Sequence, residues 1–267
     1  GQLNTIVGAL AGDALTTGGE NVAVGYSALT ADDLGSHTVA VGPYALQSQN
    51  YATATDSYNT AVGYNAGGVL STSRFNTIVG GLAGDALTTS VGYNTVFGYN
   101  ALSADTLGQE NCAIGSQALS AQNFTTAVAA YNTAVGTSAG RLVTTGIQNT
   151  FIGGLAGDAT TDADYNTAVG VGAMGTNQLG SRSTALGRNA LTTQNPATAV
   201  DMYNTAVGFG AGGAVTTGIN NTFVGSYAGD DTNDGNNNTA IGMSALSGNC
   251  ADANTAIGNS AAIACTG

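Results

Sequence analysis

The chain repeats one short unit along its length, and this repetition restricts the fold more than any other feature. The commonest form of the unit is Asn-Thr-Ala-Val-Gly, as in "YNTAVGYNAGG" from Tyr58. Each unit is too short for two helices and a connection, so it predicts a single coil of a solenoid. Fifteen units close on Gly8, Gly25, Gly42, Gly63, Gly80, Gly98, Gly115, Gly136, Gly153, Gly170, Gly187, Gly208, Gly225, Gly242 and Gly258.

The spacing of these glycines reveals a longer period. Successive glycines are 16, 17 or 18 residues apart, except at every fourth step, where the spacing is 21 residues. We therefore expect a single solenoid domain over residues 1–267, divided into superunits at approximately 4–75, 76–148, 149–220 and a partial 221–267. The first unit is in full register and the last brings no charged cap, so we expect the domain to be a segment of a longer fibre.

Three columns of the repeat predict specific structural roles. Asn stands four residues before the glycine in thirteen of the fifteen units, and Ala stands three residues after it in all fifteen. Stacked coils place equivalent residues above one another, so the Asn column predicts a hydrogen-bonded ladder. The glycine predicts a positive φ and the alanine a site with room for a methyl group. The fold class is all-β: a parallel β-solenoid (β-roll) of about fifteen coils of 17–21 residues.

The strand itself has two apolar faces. Thr and Val flank a central residue that is also apolar, and alternation directs that central residue to the opposite face. We expect Thr and Val to point into the coil and the central column to meet a second copy of the chain. Its bulky members recur once per superunit, so we predict a homotrimeric rod, roughly 67 Å long, that assembles through the central apolar column at Ile6, Ile78, Phe151 and Phe223.

Composition excludes several classes of partner. Sixteen acidic residues against four basic ones give a net charge of −12, so no basic patch for nucleic acid can be assembled. The chain has no apolar run of about 18 residues, so we expect no membrane insertion. Cys112, Cys250 and Cys265 are odd in number and lack metal-binding spacing, so we expect no disulfide framework, and Cys112 to be a small buried side chain.

Candidate chemical sites are few. The pairs Asp32/Asp33 and Asp230/Asp231 are the only carboxylate neighbours, and they lie in variable loops without a consistent partner. The single histidine, His37, has no nucleophile motif near it. The loop "GDDTNDGNNN" partly matches a calcium loop, but its twelfth position is Ile241, so calcium binding there stays open. We assign no catalytic, cofactor-binding or metal-binding residue, and we expect no enzymatic activity and no cofactor.

The pattern Asn/Ser-Thr/Val-Ala-Val/Ile-Gly-x-x-Ala resembles the head repeats of trimeric autotransporter adhesins and the repeats of trimeric bacteriophage tail fibres. The resemblance covers essentially the whole chain and implies a β-roll packed three-fold around an axis. The coils here are longer than those of the adhesin heads, and Thr often stands where the adhesins favour Val; both differences favour the phage fibre. The implied function is a non-enzymatic shaft or head of a virion tail fibre involved in host attachment. The alternative is the head of an adhesin on a bacterial surface.

The resemblance also implies partners and a location. Other fibre or tail proteins would join the ends, host surface glycans are possible ligands of the loops, and the chain would be on a virion or an extracellular cell surface. A further alternative is an ice-binding solenoid, suggested by the pairs Thr16/Thr17, Thr88/Thr89, Thr144/Thr145 and Thr216/Thr217. These pairs recur only once per superunit, and we expect the main Thr column to point inward, so this alternative ranks below the fibre.

Overall fold

A computed structural model of the chain describes residues 1–89 and 92–263. These residues form short β-strands and turns, and no helix occurs among them. The chain divides into two compact units, Gly1–Asn132 and Thr133–Gly267. Each unit is a stack of coils, and each coil contributes one three-residue strand.

The strands of the first unit are β1 (Thr5–Val7), β2 (Val22–Val24), β3 (Gly35–Ser36), β4 (Val39–Val41), β5 (Thr55–Asp56), β6 (Thr60–Val62), β7 (Thr77–Val79), β8 (Thr95–Phe97), β9 (Gly108–Gln109), β10 (Cys112–Ile114) and β11 (Val128–Ala129). Those of the second unit are β12 (Thr133–Val135), β13 (Thr150–Ile152), β14 (Thr167–Val169), β15 (Gly180–Ser181), β16 (Thr184–Leu186), β17 (Val200–Asp201), β18 (Thr205–Val207), β19 (Thr222–Val224), β20 (Thr239–Ile241) and β21 (Thr255–Ile257).

The three-residue strands pair in parallel with the equivalent strand of the next coil. The first unit has the order β1-β2-β4-β6-β7-β8-β10 and the second β12-β13-β14-β16-β18-β19-β20-β21. The register follows the sequence columns, so that Ile78 lies opposite Val96 and Phe151 opposite Ala168. The pairs β3–β5, β9–β11 and β15–β17 form separate two-strand ladders, each with its second strand in a 21-residue coil. The predicted all-β parallel solenoid of about fifteen coils is confirmed.

The glycine column has the predicted backbone conformation. All fifteen glycines have φ between 126° and 143°, a region that side-chain-bearing residues rarely enter. The coils also approach each other closely at these positions: a methyl group on Gly153 would lie 2.7 Å from the carbonyl carbon of Gly170 in the next coil. Both the dihedral angle and the stacking distance therefore require glycine.

The central strand column lies inside the coil, which corrects our prediction that it faces a second chain. Ile78, Phe151 and Phe223 are fully buried within the single chain, and only Ile6, in the first coil, is partly exposed, at 39%. The cause is packing. Phe151 and Phe223 each lie against a glycine six positions later in their own coil, Gly157 or Gly229, where a methyl group would approach the ring to 2.4 Å. Gly84 stands at the same offset from Ile78, 3.4 Å from it on the same measure. Several coils with a central alanine instead carry Leu or Met there, such as Leu191 after Ala185.

The Asn column forms the predicted ladder, mostly through bonds from side chain to backbone, and in some coils also through direct amide-to-amide bonds, such as that from Asn76 to Asn59 at 3.1 Å. The Asn21 side-chain oxygen accepts the backbone N–H of Thr38 at 2.9 Å, and that of Asn221 accepts the N–H of Asn238 at 2.8 Å. The Asn221 amide nitrogen also donates to the Gly235 carbonyl at 2.9 Å. Where Ser183 replaces Asn, its hydroxyl accepts the Asn204 N–H at 3.4 Å. The column thus satisfies buried backbone groups that the short strands leave unpaired.

Candidate interaction surfaces

The first and third residues of the three-residue strands form a surface that we call the outer face. None of these residues is buried, whereas the middle residue is buried in every such strand except β1. Phe97 and Ile257 are 56% and 69% exposed. Our prediction that Thr and Val point inward is therefore wrong: the central column takes the interior, and alternation directs its neighbours to solvent.

A second row of side chains lies beside the outer face. It consists of the residue directly before each ladder position, and we call it the ring row. In the first unit it includes Glu20, His37, Tyr58, Phe75, Tyr93, Glu110 and Tyr131, and in the second Tyr165, Arg182 and Tyr203. All of these residues have positive φ. The turn therefore holds each side chain at an equivalent place on the surface of its coil.

Neighbouring rings of this row stack on one another. The ring centroids are 5.0 Å apart for His37 and Tyr58, 5.9 Å for Tyr58 and Phe75, and 4.9 Å for Phe75 and Tyr93. The interplanar angles are 19°, 13° and 8°, so the rings are nearly parallel. Coil spacing alone explains this stack, since strands repeat about every 4.8 Å.

Two nitrogen-bearing side chains of the ring row, His37 and Arg182, have acidic partners. His37 lies 3.0 Å from Asp56 and 3.3 Å from Glu20. In the second unit, Arg182 lies 2.9 Å from Asp201. Its guanidinium carbon also stands 4.6 Å from the centroid of the Tyr165 ring, a cation–π distance. His37 thus belongs to a surface cluster with Glu20, Asp56 and Tyr58.

A cavity opens in the ring row of the first unit. It has a volume of about 520 Å³ and is lined by Tyr93, Thr95, Glu110, Asn111, Cys112 and Tyr131. The Tyr131 hydroxyl donates a hydrogen bond to Glu110, and this bond raises the pKa of Tyr131. The tyrosines were visible in the sequence as the residue before five of the thirteen ladder asparagines, but the sequence alone suggested no role for them.

Two buried carboxylates anchor the long coils. Asp105 accepts hydrogen bonds from the Gly108 N–H at 2.9 Å and from the Gln122 amide at 2.6 Å, and Gln122 in turn accepts one from Asn132 at 2.8 Å. Asp32 is bound in the same way by Gly35 and Gln49. Burial raises the pKa of both carboxyls. Asn177 takes this place in the third superunit, donating to and accepting from Gly180.

The acidic pairs considered in the sequence do not converge on a common site. Asp32 is fully buried with both oxygens hydrogen-bonded, so it does not act together with Asp33. Burial, and then the charge of Asp231, raise the pKa of Asp230. Across residues 1–89 and 92–263, no group of three or more His, Cys, Asp or Glu side chains is placed to hold a metal ion. Asp230 and Asp234 of the calcium-like loop belong to no such group.

The cysteines differ from expectation. Cys112 carries a free thiol and is only half-buried, because it occupies an outer-face position where most coils have Thr. Cys250 is buried and disulfide-bonded, which the cysteine spacing did not predict. Cys265 lies outside the described residues.

No protein-family model matches the chain, and neither a curated protein nor a solved structure matches it. Within the described ranges there is also no helix long and apolar enough to cross a membrane.

Proposed function

We propose that the chain is a non-enzymatic structural segment of a homotrimeric fibre, a bacteriophage tail fibre involved in host attachment. The outer face is the observation that carries this proposal. In each unit it is a regular strip of Thr and mostly β-branched apolar side chains, exposed or half-buried in the single chain and continuous from strand to strand. Exposed apolar surface of this regularity is typical of protein interfaces.

A second copy of the chain is the partner that fits the strip best. Identical chains carry the same side chains at the same coil spacing, so three copies in register would match over every coil of the strip. The strip contains no charged side chain in any three-residue strand, which removes the cost of burying ions. We therefore propose the outer face as the trimer interface in place of the central column, because the central column is buried inside the single chain.

The same arrangement would serve the alternative, the head of a trimeric adhesin on a bacterial surface. Both settings place the chain outside a cell, on a virion or a cell surface. Both also leave the coil ends to join other fibre or tail proteins, and the loops free for contact with host glycans.

The mass of the intact chain in solution tests this proposal. Static light scattering should give three times the chain mass of 26.0 kDa. A monomer at micromolar concentration would contradict the trimeric fibre.

Ice binding is a second candidate, and one observation now favours it. The sequence predicts that the main Thr column points inward, which argues against ice binding. In the structure, Thr occupies the first outer-face position in twelve of fifteen coils. A monomer that produces thermal hysteresis would select this function over the fibre. A trimer without thermal hysteresis would reject it.

A further inference from the structure

The ring row has a regular spacing, and one coil breaks it. In the first unit, His37, Tyr58, Phe75 and Tyr93 stack in four successive coils. The next coil carries Glu110, whose side chain has no ring, and the coil after it carries Tyr131. The stack is therefore interrupted for one level between two tyrosines.

The interruption is the cavity of about 520 Å³ described above, and we call it the tyrosine slot. Tyr93 and Tyr131 are two coils apart, so their rings are separated by about 9.6 Å. Parallel rings in adjacent coils of this row stand 4.9 to 5.9 Å apart. The slot thus has room for one planar group between the two rings, with the Glu110 carboxylate beside it.

The third superunit shows what fills the equivalent level there. Arg182 occupies the position of Glu110, between Tyr165 and Tyr203, and its guanidinium lies over the Tyr165 ring at 4.6 Å. Asp201 binds that guanidinium at 2.9 Å and accepts the Tyr203 hydroxyl at 3.1 Å. Three successive coils therefore bring a planar cation, an aromatic ring and a carboxylate together.

The ring row of the second superunit has the rings and the acid but no cationic side chain. Ala129 stands where the third superunit has Asp201, two residues before the tyrosine, and the acid is Glu110 itself. The first superunit resembles the third at this level: His37 stacks on Tyr58 and lies beside the carboxylate of Asp56. Among the described residues of the ring row, only the tyrosine slot therefore combines an open space between two rings with a carboxylate that lacks a neighbouring cation in the row.

We propose that the tyrosine slot binds the guanidinium group of an arginine side chain presented by a partner protein. A guanidinium is planar, stacks on aromatic faces and donates two parallel hydrogen bonds to a carboxylate, which matches the two rings and Glu110. An ammonium group lacks the planar surface for stacking. The net charge of −12 adds long-range attraction for a basic partner.

Titration of the full chain with the capped tripeptide acetyl-Gly-Arg-Gly-amide, followed by NMR, tests the proposal. Saturable binding with a dissociation constant on the order of 1 mM is expected for one guanidinium in a half-exposed site. The same peptide with citrulline, which is planar but neutral, should bind about tenfold more weakly because the charge contributes. Equal binding of both peptides, or no saturation by the arginine peptide, would overturn the proposal.

Two variants locate the site. Glu110→Gln should weaken binding of the arginine peptide about tenfold, while Tyr203→Ala in the third superunit should leave it unchanged. The double variant Glu110→Arg/Ala129→Asp reproduces the residues of the third superunit, so it should stay folded by circular dichroism and lose binding. Binding that persists in either Glu110 variant would place the peptide elsewhere and overturn the assignment. Free L-arginine that binds tenfold more tightly than the capped peptide would indicate a small-molecule ligand instead and reject the protein partner.

Discussion

At the scale of single residues, two adjacent glycines have opposite roles. Gly153 has φ of 127° and its α-carbon faces the backbone of the next coil, whereas a methyl group on Gly154 would meet nothing closer than 3.9 Å. Gly153→Ala should lower the free energy of unfolding by about 3 kcal/mol or more, from dihedral strain and overlap. Gly154→Ala should change it by less than about 1 kcal/mol. Urea unfolding of both variants checks this, and similar losses would contradict the stacking explanation.

The Asn ladder gives a second test at this scale. Asn221 is fully buried and binds both the Asn238 N–H and the Gly235 carbonyl. Asn221→Leu leaves both groups without a partner, so the free energy of unfolding should fall by about 2 to 4 kcal/mol. Thr217→Leu, on an exposed turn of the same coil, is the control and should cost less than about 0.5 kcal/mol. A neutral Asn221→Leu in thermal or urea unfolding would show that the ladder does not stabilise the fold.

Asp105 predicts a pH dependence of stability. Burial raises the pKa of its carboxyl above the ordinary value of 3.8, so the folded chain takes up this proton at a higher pH than the unfolded chain does. Acidification from pH 7 to about pH 4 should therefore increase the contribution of this group to the free energy of unfolding. Asp105→Asn removes that contribution, so the variant should gain less stability than the parent over the same range.

The loss of one hydrogen bond does not obscure this comparison. In the variant, the Gln122 amide loses its carboxylate acceptor. The equivalent Gln194, in the superunit where Asn177 stands in place of Asp105, has a side-chain nitrogen with no hydrogen-bond partner in the described structure. That cost is the same at every pH, because neither amide titrates. Urea unfolding of parent and variant at several pH values is the measurement, and parallel profiles would contradict the assignment.

At the scale of the coil, the core depends on paired sizes. Phe151 fills the space beside Gly157, whereas Ala185 is followed at the same offset by Leu191, and all three side chains are fully buried. Phe151→Ala should cost about 3 to 5 kcal/mol because it leaves a cavity. Adding Gly157→Leu should recover about 2 kcal/mol. Leucine can adopt a positive φ here, since Leu191 at the equivalent position has a φ of 49°. Equilibrium unfolding of the single and double variants gives the coupling, and additive losses would contradict the pairing.

The same pair explains what the sequence could and could not predict. The glycine column and the asparagine ladder were predicted correctly, because one residue type was nearly unvarying at each position and its backbone or hydrogen-bonding requirement is specific. The direction of the strand faces was predicted wrongly. Alternation separates Phe151 from its neighbours Thr150 and Ile152, but it does not say which set is inside. The glycine six residues after each bulky residue indicates that the bulky side chain is inside. This spacing can be interpreted only when the path of the coil is known, because the path brings the two positions together.

The surfaces were harder to predict than the core for a related reason. Tyr93 and Tyr131 were visible as the residues before Asn, but nothing in a single unit shows that positive φ values and coil spacing align them into one row. Glu110 is informative only by comparison with Arg182 at the same level of another superunit. Side chains that matter through their neighbours in adjacent coils need the register of stacking, which a single repeat does not contain.

At the scale of the whole molecule, the outer face predicts which substitutions control assembly. Ile152 and Ile241 are 39% and 41% exposed in the single chain, so glutamate at both positions should leave the coils folded. In the proposed trimer the same positions are covered, and glutamates there would bring like charges together in a dry interface of an already acidic chain. Ile152→Glu/Ile241→Glu should therefore give folded monomers, while the exposed turn variant Thr217→Glu should stay trimeric. Light scattering with circular dichroism separates the cases: a double variant that remains a trimer would exclude the outer face as the interface.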